Sequence, residues 1–293
     1  EIYTLSLHDA LPIWSAKRNI MKQYFAFQWQ LLDDCDQRCR HCYIFHGNHG
    51  VPLARMSWEQ ILLTLDHCIS FCEQFQRLPE FYLTGGDPIL HPDFWRLLEM
   101  LHERQIPFTV MGNPFHLTDE NCRRMHDLGG KKYQMSLDGL RQTHDWFRKP
   151  GSFDCTLSKV GCINRSGMHS VIMSTVSEKN INEIPSLIDL CAEADVDIFA
   201  FSRYCPVEEE STNGITPAQY RDFLLQCNEK FLHYNTLYHA GKGRLWCNKK
   251  DHLWTLLDYE LGTFRIPESA QPDLIYDGCH CGDCRRPDRK SVV

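Results

Sequence analysis

The sequence contains no run of apolar residues approaching the roughly 18 that a membrane-crossing helix needs. An excess of positive charge is also missing: 31 Lys and Arg stand against 38 Asp and Glu, a net charge of −7. The acidic residues are scattered, and nothing global provides a basic footprint for nucleic acid or an anionic membrane, so neither partner is expected. Internal repeats and low-complexity stretches are lacking, which sets aside solenoid architectures. The N-terminus lacks the basic start and long apolar run of a secretory signal, and Glu1, His8 and Asp9 interrupt it.

Cysteine, by contrast, is abundant: 15 residues in a chain of 293. Secreted disulfide frameworks are usually short and even-numbered. Here tight groups stand near the two ends, whereas Cys68, Cys72, Cys162, Cys191 and Cys227 fall inside helical patterns, where a free thiol acts as a small buried hydrophobe. The usage points to a reducing cytoplasm.

Both termini read as foreign to the rest. Residues 1–13, EIYTLSLHDALPI, resemble the translation of a sequencing adapter, as does DRKSVV at Asp288–Val293. The expectation is therefore a non-native leader over 1–20, a natural start at Met21, and a C-terminally truncated copy ending in an adapter-derived tail over 288–293.

From Met21 onward, short β-rich apolar runs alternate with amphipathic helical patterns. Strands are predicted at Tyr24–Leu32, Glu80–Thr84, Pro107–Met111, Tyr133–Leu137, Ser170–Thr175 and Asp197–Ser202. Helices are predicted to about Gln76 from a Ser57/Gln60 capping box, then at Pro92–Arg104, Thr118–Leu128, Asp154–Ser166 and Ile181–Ala194. Six strand–helix alternations with short connections predict an α/β fold, a partial (β/α)6 barrel of parallel strands over residues 21–206. Such sheets place ligands at the C-terminal ends of their strands. After Pro206 the rhythm stops; a long helical pattern at Thr216–Tyr238 leads to Trp246–Cys247, a short helix near His252–Glu260 and a Cys-rich end, read as the start of a second domain over 207–287.

The segment DDCDQRCRHCYIF places Cys35, Cys39 and Cys42 in the loop after the first strand, spaced C-x3-C-x2-C. Three thiolates on one short loop can bind three corners of a cubane and leave the fourth iron open, and a low-potential cluster of that kind can deliver one electron to a bound sulfonium. A zinc site completed by His41 or His46 is the chemical alternative, in a binding module without radical chemistry.

Two features together resemble the radical S-adenosylmethionine (SAM) superfamily: the triplet followed by the aromatic Tyr43, and FYLTGGDP with Gly85 and Gly86 at the end of the second strand. The family's motif there is of GGE type, and this chain carries Asp87–Pro88 where many members have Glu–Pro. The resemblance covers about residues 24–205. It implies a [4Fe–4S] cluster on Cys35, Cys39 and Cys42, with SAM bound to the open iron. Gly85, Gly86 and Asp87 would hold the methionine amino group, while Ser136 and Asp138 of SLDG, Ser174 and Arg203 would contact the rest of the cofactor. Met111–Pro114 and Thr175 stand at equivalent strand ends. The implied chemistry is reductive cleavage of SAM to a 5′-deoxyadenosyl radical that abstracts a substrate hydrogen. No catalytic acid or base is assigned.

Cys247, followed by Cys279, Cys281 and Cys284 in DGCHCGDC, resembles the start of the SPASM domain found in family members that modify ribosomal peptides. That implies possible auxiliary iron–sulfur clusters with Cys247 and Cys279 among the ligands, a precursor peptide as substrate, and an external electron donor such as flavodoxin or ferredoxin. A sulfatase-type protein or a small molecule is the alternative substrate.

Overall fold

The computed structural model describes residues 24–45, 52–205 and 214–264. The proposed leader and tail, His46, Cys279, Cys281 and Cys284 lie outside the described residues. The chain divides into two compact units, with the boundary in sequence between Lys249 and Lys250.

In the first unit the elements alternate almost without exception. They run β1 (Tyr24–Gln30), α1 (Trp58–Gln74), β2 (Leu78–Thr84), α2 (Phe94–Glu103), β3 (Phe108–Met111), α3 (Asp119–Asp127), β4 (Gly130–Ser136), α4 (Arg141–Phe147), α5 (Ser152–Ser166), β5 (His169–Val176), α6 (Ile184–Glu193), β6 (Ile198–Arg203), α7 (Pro217–His239) and β7 (Trp246–Cys247). The sheet has the order β1-β2-β3-β4-β5-β6-β7, and every neighbouring pair is parallel. Sequential parallel strands joined by crossovers of one hand put all the helices on the same face, so the sheet curls as an open, partial barrel. This bears out the fold class read from the sequence.

Local chemistry explains the helix starts. Ser57 accepts from the Gln60 amide while the Gln60 side chain accepts from the Ser57 amide, closing the capping box that opens α1. Thr118 caps α3 in the simpler way, its hydroxyl accepting from the Asn121 amide at 3.1 Å. On α2 the residues Phe94, Leu97, Leu98 and Leu101 recur at helical spacing and are all fully buried. Burial of each such side chain contributes about 1.5–3 kcal/mol. The strands supply the other side of the core through Phe81, Leu83, Phe108, Val110, Ile172, Phe199 and Phe201. Cys72, Cys191 and Cys227 are buried as expected for apolar thiols, whereas Cys68 and Cys162 are only half-buried.

Two readings of the sequence need correction. Helix α4 is absent from the helices predicted above; it is seven residues long and RQTHDWF carries no helical apolar stripe. A helix that short has little stability of its own and exists through tertiary contacts. The rhythm also does not stop at Pro206, because α7 and β7 extend it and β7 adds a seventh parallel strand. Two residues are too short a strand to announce themselves by alternation. In the second unit the described residues form α8 (Leu253–Glu260), which buries Trp254 and Leu257. Among the described residues no helix is long and apolar enough to cross a membrane.

Candidate active site at the strand ends

The loop after β1 carries the three cysteines, and its backbone is fastened on several sides. Leu31 donates to the Thr84 carbonyl at the end of β2 (2.9 Å), and Asp33 exchanges hydrogen bonds with Ala54. The amides of Gly86 and Asp87 then donate to the carbonyls of Leu32 and Asp34, both at 2.8 Å. This contact explains the double glycine. A Cβ on Gly85, whose φ is +151°, would run into the Leu32 carbonyl, and one on Gly86 would run into the Asp34 carbonyl. Absence of side chains at these positions lets the end of β2 press directly against the cysteine loop.

Asp87 follows, fully buried, and neither of its carboxylate oxygens accepts a hydrogen bond among the described residues. Burial, reinforced by the neighbouring Asp36, pushes its pKa up to about 7, while the amides of Ile89 and Asn113 oppose the rise without closing a hydrogen bond. Gly112, just past β3, leaves room beside it, since a Cβ there would collide with Tyr133 and an Asp87 oxygen. An ionised carboxylate without a partner is costly in such surroundings.

Cys35, Cys39 and Cys42 are all half-buried and unbridged. Burial pushes the Cys35 thiol up to about 11, with Asp87 and Cys39 adding to the rise. Its sulfur accepts from the Gln37 amide at 3.4 Å and from Asn113 Nδ2 at 3.7 Å. Burial also raises Cys39, opposed by Arg148, whose guanidinium donates to the sulfur at 3.5 Å. Arg148 is in turn held by Asp138, its Nε donating to Oδ2 at 2.7 Å. Asp138 is fully buried; burial would raise its pKa, but Arg148, then His41 and the Thr175 amide, together hold it below the usual carboxylate value. The Thr175 amide donates to Asp138 Oδ1 at 2.9 Å.

A second polar chain runs alongside. The Asp138 amide donates to His144 Nδ1 (3.1 Å), His144 Nε2 meets Ser152 Oγ (3.1 Å), and Gln37 Nε2 donates to the same hydroxyl (2.9 Å). Burial, with Arg148 close by, pushes His144 down to about 4, so its imidazole is neutral and Nδ1 is free to accept. Sequence reading missed Gln37, His144, Arg148 and Ser152, whereas Asn113 lies within Met111–Pro114, the strand end it had singled out. The run HDWFR after SLDG held the only signal, a His and an Arg close behind the Asp they serve.

The remaining expected ligands separate into groups. Ser136 ends β4 half-buried beside this network. Ser174 is fully buried and donates its hydroxyl to the Leu137 carbonyl at 2.5 Å, so the group is already committed within the sheet. Asp138 is similarly committed as an internal hub, not a free carboxylate. Arg203 ends β6 with its guanidinium 5.4 Å from the Tyr220 ring centroid. Cys247 is placed away from the strand ends: on β7 it pairs with Phe199, early in β6. Its backbone exchanges hydrogen bonds with the Asn235 side chain, and burial pushes its thiol up to about 12. In that position it packs as a core thiol near Cys191 and Cys227, contrary to its expected role as a cluster ligand.

The donor set discriminates between metals. A single zinc with bonds of about 2.3 Å would draw its thiolates to within about 4 Å of one another. Among the described residues the grouping of ligand-type atoms within 4.8 Å is Asp36, Asp87 and His116, and it does not include the three thiols. His41, the described candidate for a fourth zinc ligand, faces Asp138 at 3.6 Å and packs against the Phe147 ring. A cubane binds each cysteine through a different iron, so three thiols on one loop leave its fourth iron open to a further ligand. The unpartnered Asp87 carboxylate, close enough to raise the Cys35 pKa, supplies the negative group that a ligand ammonium would seek. The residues therefore fit an iron–sulfur cluster with an amino-acid ligand beside it.

Residues 29–191 match the family described as the Radical SAM superfamily. The chain belongs to this superfamily. Its members use a [4Fe–4S] cluster and SAM. Pre-heme d1 synthase of Dinoroseobacter shibae is 26% identical over 175 residues, covering 59% of this chain and 42% of that protein. The sporulation killing factor maturation protein SkfB of Bacillus subtilis is 26% identical over 172 residues, covering 58% and 40%. Among solved structures, Streptococcus suis SuiB bound to S-adenosylmethionine superposes with a TM-score of 0.58 at 17% identity, over 80% of this chain and 52% of that one. The chain spans about half the length of the curated relatives it matches.

Asp87 gives a pH-dependent expectation. Its folded pKa of about 7 lies above the ordinary 3.8, so the folded chain pays a growing penalty as pH rises between these values, and the full penalty above 7. Replacement of Asp87 by Asn is expected to stabilise the metal-free chain at pH 8, with the gain shrinking as pH falls towards 4. Urea unfolding at several pH values measures this, and a gain independent of pH would contradict it.

Proposed function

We propose that this chain is the catalytic core of a radical SAM enzyme that acts on a ribosomally made peptide, using a [4Fe–4S] cluster held by Cys35, Cys39 and Cys42. The observation that carries the reading is the half-buried, unbridged triplet on the loop after β1, with the buried, unpartnered Asp87 close enough to raise the Cys35 pKa. The cluster and SAM, when bound, supply one-electron cleavage of a carbon–sulfur bond and hydrogen-atom abstraction from the substrate.

The chain's own residues divide the remaining work. Gly85 and Gly86 bring the β2 end against the cysteine loop, and Asp87 presents a carboxylate to the ammonium of the ligand. Arg148 sets positive charge against the Cys39 sulfur, which favours its thiolate, and Asp138 holds Arg148 in place. Asn113 fixes Asp36 through a 2.5 Å hydrogen bond and also reaches the Cys35 sulfur. Ser136 and Arg203 remain the candidates for contacts to the rest of the cofactor, and an intracellular, reducing setting suits the twelve free thiols among the described residues.

The peptide reading draws support from SkfB, a maturation protein by name, and from the SPASM-like cysteines that follow the core. Pre-heme d1 synthase favours a tetrapyrrole instead. Anaerobic purification followed by reduction with dithionite in the presence of SAM tests the core of the reading: about four irons per chain and release of 5′-deoxyadenosine are expected. Colourless protein with one zinc per chain would overturn it. Short precursor peptides encoded beside the gene then compete with porphyrins in the same assay, and a covalently altered peptide decides for the first substrate.

A further inference from the structure

Three strand ends converge next to Cys35, and each brings one metal-ligating side chain. Asp36 comes from the loop after β1, Asp87 from just past β2, and His116 from the loop after β3. One ligand-type atom from each lies within 4.8 Å of the other two. Local hydrogen bonds set the outer pair in place. Asn113 Nδ2 donates to Asp36 Oδ1 at 2.5 Å, while Asn113 Oδ1 accepts from the Phe115 amide at 3.1 Å. The His116 carbonyl accepts from Asn121 Nδ2 at 2.8 Å, and His116 Nε2 meets Asp36 Oδ2 at 3.2 Å.

An Asp–His pair at the surface is ordinary and marks no site by itself. Asp87 makes the difference. It is fully buried, both of its carboxylate oxygens lack a hydrogen-bond partner, and one of them is among the three converging atoms. Protonation would not satisfy it, because the new O–H would still face no acceptor. Two carboxylates this close repel each other, and a cation between them removes the repulsion. Among the described residues no Lys or Arg forms an ion pair with either one. Asp36 pairs with His116, and Lys149 reaches Asp36 at its backbone carbonyl, at 3.2 Å.

We propose that Asp36, Asp87 and His116 form a site for one divalent cation of the manganese or ferrous type. Two carboxylate oxygens and an imidazole nitrogen are a donor mixture such ions accept, whereas magnesium and calcium take oxygen alone. Neighbouring ligands of an octahedral ion with bonds of about 2.1 Å stand about 3 Å apart. The 3.2 Å between His116 Nε2 and Asp36 Oδ2 is already such a distance. His116 offers Nε2 as a lone pair when its proton resides on Nδ1. Asp36 is exposed, so water has access to the remaining positions. The inference shares Asp87 with the proposed function but needs neither the cluster nor SAM. The cation balances Asp87 in the chain without its ligand, and a ligand ammonium then has to displace it.

The test is an anaerobic titration of the whole chain, stripped of metal, with Mn²⁺, followed by loss of the free-ion electron paramagnetic resonance signal. Saturable binding of one Mn²⁺ per chain is expected. Asp36→Asn and His116→Gln should each weaken it about tenfold or more, and Asp87→Asn should abolish it. Asp36 and His116 lie at the surface, so their variants keep the test decisive even where Asp87→Asn disturbs folding. Glu120→Gln, an exposed carboxylate on α3, should leave the affinity unchanged. Cys39→Ala should also bind Mn²⁺ as the parent does. Absence of saturable binding, equal affinity in the parent and His116→Gln, or an equal loss in Glu120→Gln would overturn the proposal. Loss of binding in Cys39→Ala would place the ion on the thiols and overturn it as well. A parent that binds Mn²⁺ at this site yet never loads iron would uphold the cation site and reject the proposed function.

Discussion

Exchange of Cys39 for alanine is expected to drop the iron content from about four per chain to less than one and to bring 5′-deoxyadenosine formation to background. Cys39 is the middle anchor, and the surrounding residues are arranged around it. Its sulfur takes the Arg148 hydrogen bond at 3.5 Å and faces the Gln37 side chain at 3.6 Å. Alanine removes the thiolate and leaves the Arg148 charge pointing at a methyl group. Cys35 and Cys42 remain, but two thiolates on a loop with an uncompensated guanidinium between its anchors do not close around a cubane. Cys68, half-buried on α1, provides the control, and its alanine variant should load iron normally. Iron and sulfide analysis with electron paramagnetic resonance after dithionite reduction measures the effect. A Cys39→Ala protein with a full complement of iron would remove Cys39 from the ligand set.

The second large effect concerns stability. Asp138 and Arg148 form an ion pair with side-chain exposures of 0% and 13%. Asp138→Asn keeps the shape and removes the charge, so Arg148 is left buried without its counter-ion. Loss of one partner from a buried pair costs about 3–5 kcal/mol. Urea unfolding of the metal-free chain should show a loss of that order, and a loss below about 1 kcal/mol would mean that water reaches Arg148. The double variant Asp138→Asn, Arg148→Met should recover part of the loss, because the orphaned charge goes too. The pH profile carries its own sign. Asp138 titrates below its ordinary value in the folded chain, so its contribution is complete above about pH 4 and is lost as pH falls through the depressed value. The Asn variant should lack that part of the acid limb.

These two experiments probe features that differ in how they could be found. The triplet is local, three cysteines within eight residues, and its spacing together with Tyr43 and the Gly85–Gly86 pair carried the resemblance to the superfamily, although the spacing alone left zinc open. Ser57 and Gln60 were equally legible, because a capping box joins residues three apart. The glycine pair was legible as a place of close approach, although the sequence did not show what approaches. The structure supplies it: the carbonyls of the cysteine loop itself.

The Asp138–Arg148–Cys39 connection belongs to the other kind. Gln37 and Ser152 are 115 residues apart in the chain, and Arg148 and Cys39 are 109 apart. No periodicity reports a contact over that distance. Helix α4, which delivers Arg148, is itself a product of the packing it serves.

Cys247 marks the same limit from the opposite direction. Its place before a cysteine-rich tail suggested a metal ligand, and its pairing with Phe199 puts it in the sheet. The sequence alone determined the superfamily, the strand–helix order and the three thiols, since each depends on residues close in the chain. Only the tertiary structure decided which buried charges those thiols meet, that Asp87 is left without a partner, and that β7 completes the sheet. Those outcomes depend on desolvation and on contacts between distant segments, which exist only once the strands have assembled.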